Sequence, residues 1–356
     1  MVVVTRIIYG LIIFLILVFV HELGHFLAAR LGGIGVKEFA IGMGPKIVSK
    51  QKGETRFSLR AVPFGGFCAM EGEDEESENP KAFNNRPVWA RIVTLLAGST
   101  FNIVFAAIIL MIIIFSQGFP ITEIDKVQAG SPAYIAGIEK GDTITSINGE
   151  PVKKWIDVNT VISEIITEEV GPEKPTETNR NTDFTIDLKI TRADGTEETI
   201  TTPLYINENA EYMLGLTATT KRTPLFAIQS IGYGVEATWN MTKMMYEALG
   251  QLITGKGSLD DLSGLPGIVM AVGDAAERGF LYVFQLTALL SLNLGIINLL
   301  PFPALDGGRI LFLIVRQITG KRITDSFEGG FHLVGFVLLI GFMLFITVRD
   351  VQKIFF

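Results

Sequence analysis

Two histidines and a glutamate follow directly on an apolar run near the start of the chain. Residues 7–20 carry no ionisable side chain except that of Tyr9, and His21, Glu22 and His25 then come within five positions. On a helix, positions 21 and 25 lie one turn apart on the same face, so both imidazoles can reach one metal ion. Glu22 lies beside them and can accept a proton from water on that metal. The alternative, an interfacial helix face that binds nothing, is disfavoured because unpaired polar groups are costly in apolar surroundings.

A second polar site ends another apolar run towards the C-terminus. A catalytic zinc centre has three protein ligands and one position for water, so the two histidines need a partner. Asp306 is the candidate, because it ends an apolar segment that Pro301 and Pro303 interrupt, and broken backbone at membrane depth is tolerated where it lines a cavity. The alternative is that Asp306 is an interfacial helix cap. His332, the remaining histidine, is interpreted as a structural or interfacial residue rather than a fourth ligand.

The apolar residues of this chain are concentrated in four runs. Of its 356 residues, 48% are apolar, and this composition is too hydrophobic for a simple soluble protein. Each run is long enough, or nearly so, to cross the hydrocarbon core of a membrane: residues 2–20, 92–115, 280–305 and 331–348. The first run is interpreted as a permanent span rather than a cleaved signal peptide, since cleavage would discard the metal site. The pattern predicts an α-helical membrane protein with four transmembrane helices.

Charge and cysteine content exclude other classes of protein. The formal net charge of −7 argues against nucleic-acid binding. The single cysteine, Cys68, excludes an internal disulfide framework and a cysteine-rich zinc site. We interpret Cys68 as a small hydrophobic residue in a buried strand.

Positive charge in the short loops predicts the orientation of the chain in the membrane. Lysine and arginine are frequent after the first run and between the last two runs. The metal-site end of the first helix is therefore expected on the cytoplasmic side, with the long loop outside. Arg349 and Lys353 in the C-terminal tail conflict mildly with this orientation.

The segments between the runs show patterns of their own. Residues 32–70 alternate and are rich in glycine, which predicts short strands. These strands either offer an edge to an extended peptide or only brace the helices. Residues 220–278 show helical apolar spacing interrupted by charges, which predicts an amphipathic region lying on the membrane.

Residues 120–219 resemble a PDZ domain of the bacterial, protease-associated kind. Gly141-Asp142 leads into a strand, and Asn148-Gly149 forms the next turn. Gly215 and Leu216 resemble the loop that receives peptide ends in a circularly permuted PDZ domain. The expected fold is thus a four-helix membrane protein with a membrane-associated β-hairpin or sheet and an inserted α+β PDZ domain.

These patterns divide the chain into nine segments. In order, we predict transmembrane helix 1 with the HExxH motif (1–31), a membrane-associated β region (32–70), an acidic loop (71–91), transmembrane helix 2 (92–117), the PDZ domain (120–219), the amphipathic juxtamembrane region (220–278), transmembrane helix 3 with the NxxPxxxLDGG motif (279–308), a cytoplasmic loop (309–330) and transmembrane helix 4 (331–349).

The two metal motifs and the PDZ-like loop together resemble the site-2 proteases, which are intramembrane zinc metalloproteases. The closest branch is the bacterial regulator-of-sigma-E protease type (RseP/RasP), here with one PDZ domain. The resemblance covers essentially the whole chain. It implies one Zn²⁺ per chain and cleavage of single-span membrane proteins, such as anti-sigma factors or signal-peptide remnants, within the lipid bilayer. It also implies a bacterial plasma membrane, with the active site towards the cytoplasm and an extracytoplasmic PDZ domain that binds peptide ends or filters substrates.

The resemblance also implies a role for individual residues. The zinc ligands would be His21, His25 and Asp306, with Glu22 as the general acid and base. The substrate-binding residues would be Asn298, which holds the substrate backbone, Gly42 and Gly44 in the β-hairpin, and Gly215 and Leu216 in the PDZ domain.

Two other functions are compatible with parts of the pattern. A catalytically silent receptor with a peptide-binding domain would be free to lose its base, whereas Glu22 is present. A zinc transporter would be expected to show internal repeats and polar residues in several spans, and we find neither in the sequence.

Overall fold

The chain folds into two compact units, Met1–Ile113 with Ile231–Phe356 and Ile114–Ser230. The computed structural model describes residues 2–73, 77–169, 184–206, 212–221, 228–255, 262–320 and 325–355. Parts of the predicted acidic loop, PDZ domain, juxtamembrane region and cytoplasmic loop therefore lie outside the described residues. In chain order the elements are α1 (Val2–Leu31), β1 (Val36–Lys52), β2 (Thr55–Met70), α2 (Val88–Gln117), β3 (Phe119–Val127), α3 (Pro132–Ile135), β4 (Thr143–Ile147), β5 (Glu150–Pro151), α4 (Trp155–Glu169), β6 (Thr185–Thr191), β7 (Glu197–Pro203), β8 (Tyr205–Ile206), β9 (Tyr212–Met213), β10 (Leu216–Lys221), α5 (Ile228–Ile253), α6 (Leu265–Arg278), α7 (Phe280–Leu299), α8 (Asp306–Thr319) and α9 (Asp325–Phe355).

Among the residues that the structure describes, four helices are long and apolar enough to cross a membrane, in agreement with the four predicted spans. They are Val4–Leu31, Val88–Gln117, Phe280–Leu299 and Phe327–Lys353. The second begins at Val88 rather than at residue 92, because Pro87 directly before it fixes φ and needs no hydrogen-bond acceptor at a helix start. The fourth continues past both predicted ends, since its polar terminal turns keep helical geometry beyond the apolar run.

Segment 279–308 is two helices joined by a loop rather than one helix. α7 ends at Leu299, because Pro301 and Pro303 cannot donate the backbone hydrogen bonds that would continue it. α8 begins at Asp306 and runs into the predicted cytoplasmic loop, 309–330, which is thus helical over its first half. A search for long apolar runs overlooks α8 because this helix is short and amphipathic.

The predicted juxtamembrane region contains two helices, α5 and α6. Two of the long apolar helices, α1 and α9, contact α6, one at each end. The Asp350 carboxylate on α9 accepts the backbone N–H groups of Gly264 (2.7 Å) and Gly267 (3.0 Å) at its start. Arg6 on α1 forms an ion pair with Glu277 near its end. The Asp350 contacts supply acceptors for backbone N–H groups that have no partner within the helix at its start.

The strands β1 and β2 each bend, and each therefore contributes two segments to a sheet of four paired segments. Residues 38–41 pair with 56–59 on one side and with 66–69 on the other. Because residues 38–41 have a paired segment on each side, they lie inside the sheet, and residues 66–70 at the end of β2 form an outer strand. Across the sheet the order is 48–52, 55–59, 38–41 and 66–70.

Glycines make the bend in β1, and the partly buried carboxylate of Glu38 joins the two bent strands. Gly42 and Gly44 have φ values of 81° and 78°, which side chains disfavour. A Cβ on Gly42 would lie 2.6 Å from a backbone oxygen of β2. The Glu38 carboxylate accepts hydrogen bonds from Ser58 Oγ (2.6 Å) and Arg60 Nη2 (2.7 Å).

Among its described residues, the inserted unit combines two helices, α3 and α4, and a separate β8–β9 pair with a larger antiparallel sheet. Its strand order is β10, β3, β4, β6, β7, with β5 paired to β4. Fully buried aliphatic side chains form its core: Ile124, Ile144, Ile147, Ile186, Leu188 and Ile190. Their alternation with exposed residues gives the strands one buried face. The backbone oxygen of Gly215 (φ 79°) accepts a hydrogen bond from the Gln128 N–H at 2.8 Å. Leu216 is the first residue of β10, the strand at one edge of this sheet.

Candidate metal centre

Two distant parts of the chain bring three metal-binding side chains together. The Nε2 atoms of His21 and His25 on α1 are 3.2 Å apart. Asp306, the first residue of α8, places Oδ2 3.3 Å from His21 Nε2 and 3.2 Å from His25 Nε2. Both histidines are buried, with 8% and 6% exposure. The structure therefore gathers the three side chains that the sequence selected as metal ligands.

The spacing of these three atoms fits one zinc ion. With Zn–N and Zn–O bonds of about 2.0–2.1 Å, two ligand atoms of a tetrahedral site lie about 3.3 Å apart. The observed separations of 3.2, 3.2 and 3.3 Å thus form one face of such a tetrahedron. Asp306 Oδ2 is also buried with no well-formed hydrogen bond to the residues that the structure describes, as expected of an oxygen that a cation would satisfy. Two imidazoles and a carboxylate leave the fourth position for water.

Close packing between α1 and α2 aims His25 at the cluster. A Cβ on Gly24 would lie 2.4 Å from the backbone oxygen of Ala97. A Cβ on Gly98 would lie 2.3 Å from His25 Nε2. Glycine at both positions therefore lets the helix backbones approach and leaves room for the imidazole.

A backbone carbonyl on α2 fixes the proton of one histidine. His25 Nδ1 lies 2.8 Å from the carbonyl oxygen of Thr94, so Nδ1 carries the proton and donates it. The lone pair on Nε2 then faces the cluster, which is the tautomer that a metal requires.

Asn102 is a site residue that the sequence reasoning missed. It is fully buried on α2, and its amide lies 3.4 Å from His21 Nδ1. With Nε2 on a metal, Nδ1 must donate a proton, so the acceptor has to be the amide oxygen. Asn102 Oδ1 has no hydrogen-bond partner among the described residues, and turning the amide to face Nδ1 satisfies both groups. The signal was an amide in the middle of the apolar run 92–115.

The two glycines after Asp306 allow α8 to begin in close contact with the end of α7 and the loop that joins the two helices. A Cβ on Gly307 would lie 2.3 Å from the backbone oxygen of Leu300. A Cβ on Gly308 would lie 2.3 Å from the backbone oxygen of Phe302. Side chains at either position would push α8 away from the end of α7, and the Asp306 carboxylate away from the histidines.

Glu22 lies near the candidate metal ligands and near the outer strand of the β1–β2 sheet. It interacts electrostatically with His21, His25 and Asp306, and with the backbone of Cys68. A Cβ on Gly66 in β2 would lie 3.4 Å from Glu22 Cγ, so this strand packs directly against the glutamate. The sheet thus reaches the candidate base.

Cys68 is a buried apolar side chain, as the sequence suggested. It is 8% exposed. Burial raises the pKa of its thiol well above the ordinary value, so the side chain is neutral, and Cys68 is not one of the three side chains that lie together as candidate ligands.

The other predicted substrate residues lie in three different places. Asn298 is half-buried in the last turn of α7, just before the loop that leads to Asp306. Gly42 and Gly44 lie at the bend of β1, and Gly215 and Leu216 lie in the inserted unit. Their proposed contacts with substrate remain predictions.

Comparison with known proteins gives a consistent result over nearly the whole chain. The family model of peptidase family M50 matches residues 9–342. A putative zinc metalloprotease of Clostridium acetobutylicum is 35% identical over 347 residues, which cover 97% of each chain. The regulator of sigma-W protease RasP of Bacillus subtilis is 31% identical over an alignment of 435 positions that covers 99% of each chain. A putative zinc metalloprotease of Fusobacterium nucleatum is 32% identical over 351 residues and 96% of each chain.

Proposed function

This chain belongs to peptidase family M50 and is a zinc metalloprotease, and from that premise we propose that it cuts single-span membrane proteins inside the bilayer. The observation that carries this proposal is the triangle of His21 Nε2, His25 Nε2 and Asp306 Oδ2. Both histidines belong to a helix that is apolar enough to span a membrane. A polar cluster at that depth is expensive unless it has a function.

The chain's own residues divide the chemistry of hydrolysis among them. When bound, zinc supplies a Lewis acid for the scissile carbonyl and lowers the pKa of water. His21, His25 and Asp306 would hold it, and Thr94 and Asn102 would orient the imidazoles. Glu22 would take the proton of the attacking water and pass it to the leaving amide nitrogen.

The substrate must be extended before it can be cut, because a helix hides its carbonyls in intrahelical hydrogen bonds. The outer segment 66–70 of the β1–β2 sheet supports this role, since strand addition gives an extended peptide backbone partners. Gly66 packs against Glu22, so a peptide paired there would pass the candidate base. Gly42 and Gly44 would shape the sheet, and Asn298 would hold the opposite side of the peptide.

The location of the site and the name of one relative support the proposed class of substrate. The Bacillus subtilis relative is called a regulator of sigma-W protease, and this name supports anti-sigma factors as one proposed class of substrate. Signal-peptide remnants are the other class that we propose. The inserted unit would act as an extracytoplasmic PDZ domain, whose Gly215-Leu216 turn receives peptide ends or restricts access. The metal centre would face the cytoplasmic side.

The test is co-expression of the full chain with a panel of single-span membrane proteins. Glu22→Gln is expected to keep zinc and abolish cleavage, because the amide cannot accept the proton. Glu247→Gln on α5, where the carboxylate is exposed, is the matched control and should cut normally. Fragment ends mapped by mass spectrometry should lie within the transmembrane segment of the substrate. Normal turnover by Glu22→Gln, or cuts only outside the membrane segment, would refute the proposal.

The ligand assignment has its own test. Asp306→Ala is expected to reduce the zinc content of the purified protein, because one corner of the triangle is lost. Zinc per chain is measured by elemental analysis after dialysis against buffered zinc. A full zinc complement in this variant would exclude Asp306 as a ligand.

A further inference from the structure

We propose that His332 on α9 is a positioning residue for Asp306, so that the last spanning helix holds a metal ligand in place from outside the cluster. This inference rests on the proposed role of Asp306 as a zinc ligand. His332 is the one histidine that the metal triangle leaves unused.

The first support is a hydrogen bond to the loop that carries Asp306. The Ala304 backbone N–H donates to His332 Nδ1 at 2.8 Å, two residues before the ligand. Ala304 has φ of 71°, in the left-handed region that an L side chain disfavours. Such a conformation persists only where its surroundings enforce it. The imidazole supplies an acceptor for the N–H in that conformation.

The second support is the packing of α9 on the residue before Ala304. A Cβ on Gly335 would lie 2.1 Å from Pro303 Cβ and 2.9 Å from the Pro303 backbone oxygen. Gly335 is one turn beyond His332, so both lie on one face of α9. This face therefore contacts two successive loop residues, one by a hydrogen bond and one by close packing.

The surroundings of the ring favour the tautomer that the hydrogen bond requires. Glu328 Oε1 lies 3.8 Å from His332 Nε2, and its other oxygen pairs with Arg316 Nη2 at 2.7 Å. A nearby carboxylate favours the ring proton on Nε2 and leaves Nδ1 as the acceptor. Phe312 on α8 packs against the ring, with centroids 5.7 Å apart. The ring is thus held by α8, the helix that begins at Asp306.

The metal triangle is sensitive to small movements of this loop. Its three edges are 3.2–3.3 Å, and a carboxylate on a loosened loop would sample other positions. Groups behind a ligand typically change metal affinity by about 10–100-fold when removed. A loop released from His332 should therefore hold zinc more weakly while the ligands themselves are intact.

The experiment compares His332→Phe with His332→Asn in the full chain. Phenylalanine keeps an aromatic ring but has no acceptor, whereas the Asn side-chain oxygen can occupy the place of Nδ1. We expect His332→Phe to release zinc to a chelator about tenfold faster and to change the visible absorption spectrum of the cobalt(II)-substituted protein. His332→Asn should recover most of both properties. Ala304→Gly should partly rescue His332→Phe, because glycine adopts positive φ without strain.

The control is Ile346→Ala, a buried position on the same helix beside Gly264 rather than beside the loop. It should lower thermal stability without changing the cobalt spectrum. The inference is overturned if His332→Phe matches the wild type, if His332→Asn is as defective as His332→Phe, or if Ile346→Ala gives the same spectral change. If Asp306→Ala keeps its zinc, the ligand assignment itself fails. If Asp306→Ala loses zinc and His332→Phe is unchanged, only this inference fails.

Discussion

Replacing Gly98 by alanine tests how closely α2 approaches the metal centre. The added Cβ would lie 2.3 Å from His25 Nε2 and 2.7 Å from Cε1, where ordinary contact begins near 3.4 Å. The ring must retreat by about 1 Å, which is half the length of a zinc–nitrogen bond. Alanine is also the better helix former, by about 1 kcal/mol. The substitution should therefore leave the helix intact or firmer while it displaces one metal ligand.

We expect Gly98→Ala to lower zinc affinity by more than about 100-fold, which is beyond the usual effect of changes behind a ligand. The assay is zinc content of the purified protein across a series of buffered zinc concentrations, with thermal unfolding measured in parallel. Gly10→Ala on α1 is the matched control, because its Cβ would lie 3.3 Å from Val269 Cγ2, a contact that a shift of a few tenths of an ångström relieves. If Gly98→Ala binds zinc like the wild type, α2 does not approach His25 as closely as described, and the geometry given for the metal centre is wrong.

Three further perturbations probe other parts of the membrane unit. Asn102→Leu should weaken zinc binding about 10–100-fold, measured by chelator competition, because it removes the acceptor for His21; unchanged affinity would contradict that role. The pKa of the Glu38 carboxyl is lowered because hydrogen bonds from Ser58 and Arg60 outweigh its burial. Its contribution to stability is therefore present above the unfolded pKa and lost as the pH falls through the lowered value. The protection of the β1 amides, expressed relative to the intrinsic exchange rate at each pH, should fall with acidification in the wild type, and less so in Glu38→Gln; equal pH dependence would exclude the carboxylate as the cause. Asp350→Ala should destabilise the start of α6 by about 1–2 kcal/mol, seen as faster amide exchange in its first turn, while unaltered exchange would show that the cap is dispensable.

The sequence predicts the relative placement of His21 and His25 well because their geometry is local. A spacing of four residues on a helix places His21 and His25 on one face whatever surrounds them, and the structure puts their Nε2 atoms 3.2 Å apart. The apolar runs predict the spanning helices for a similar reason, since length and composition decide whether a helix can cross a membrane. Bounds such as the end of α7 depend on Pro301, which the sequence also displays.

Other features depend on contacts between residues far apart in the chain, which no local pattern contains. In the sequence, Asn102 is a single amide within an apolar run, and only the packing of α2 on α1 shows that it faces His21. Likewise the pairing of segment 66–70 beside Glu22 depends on how two strands bend and register.

The amino-acid sequence alone determined the kind of chemistry, since residue types and a helical repeat define a metal-binding pair with a base beside it. Only the tertiary structure decided that Asp306 completes the triangle. The position of Asp306 depends on Gly307 and Gly308, which pack closely against the end of α7 and the loop that follows it. It also depends on α9, which contacts the loop just before Asp306. Distances between side chains on different elements follow from close packing of the whole unit, and close packing is not encoded in any single segment.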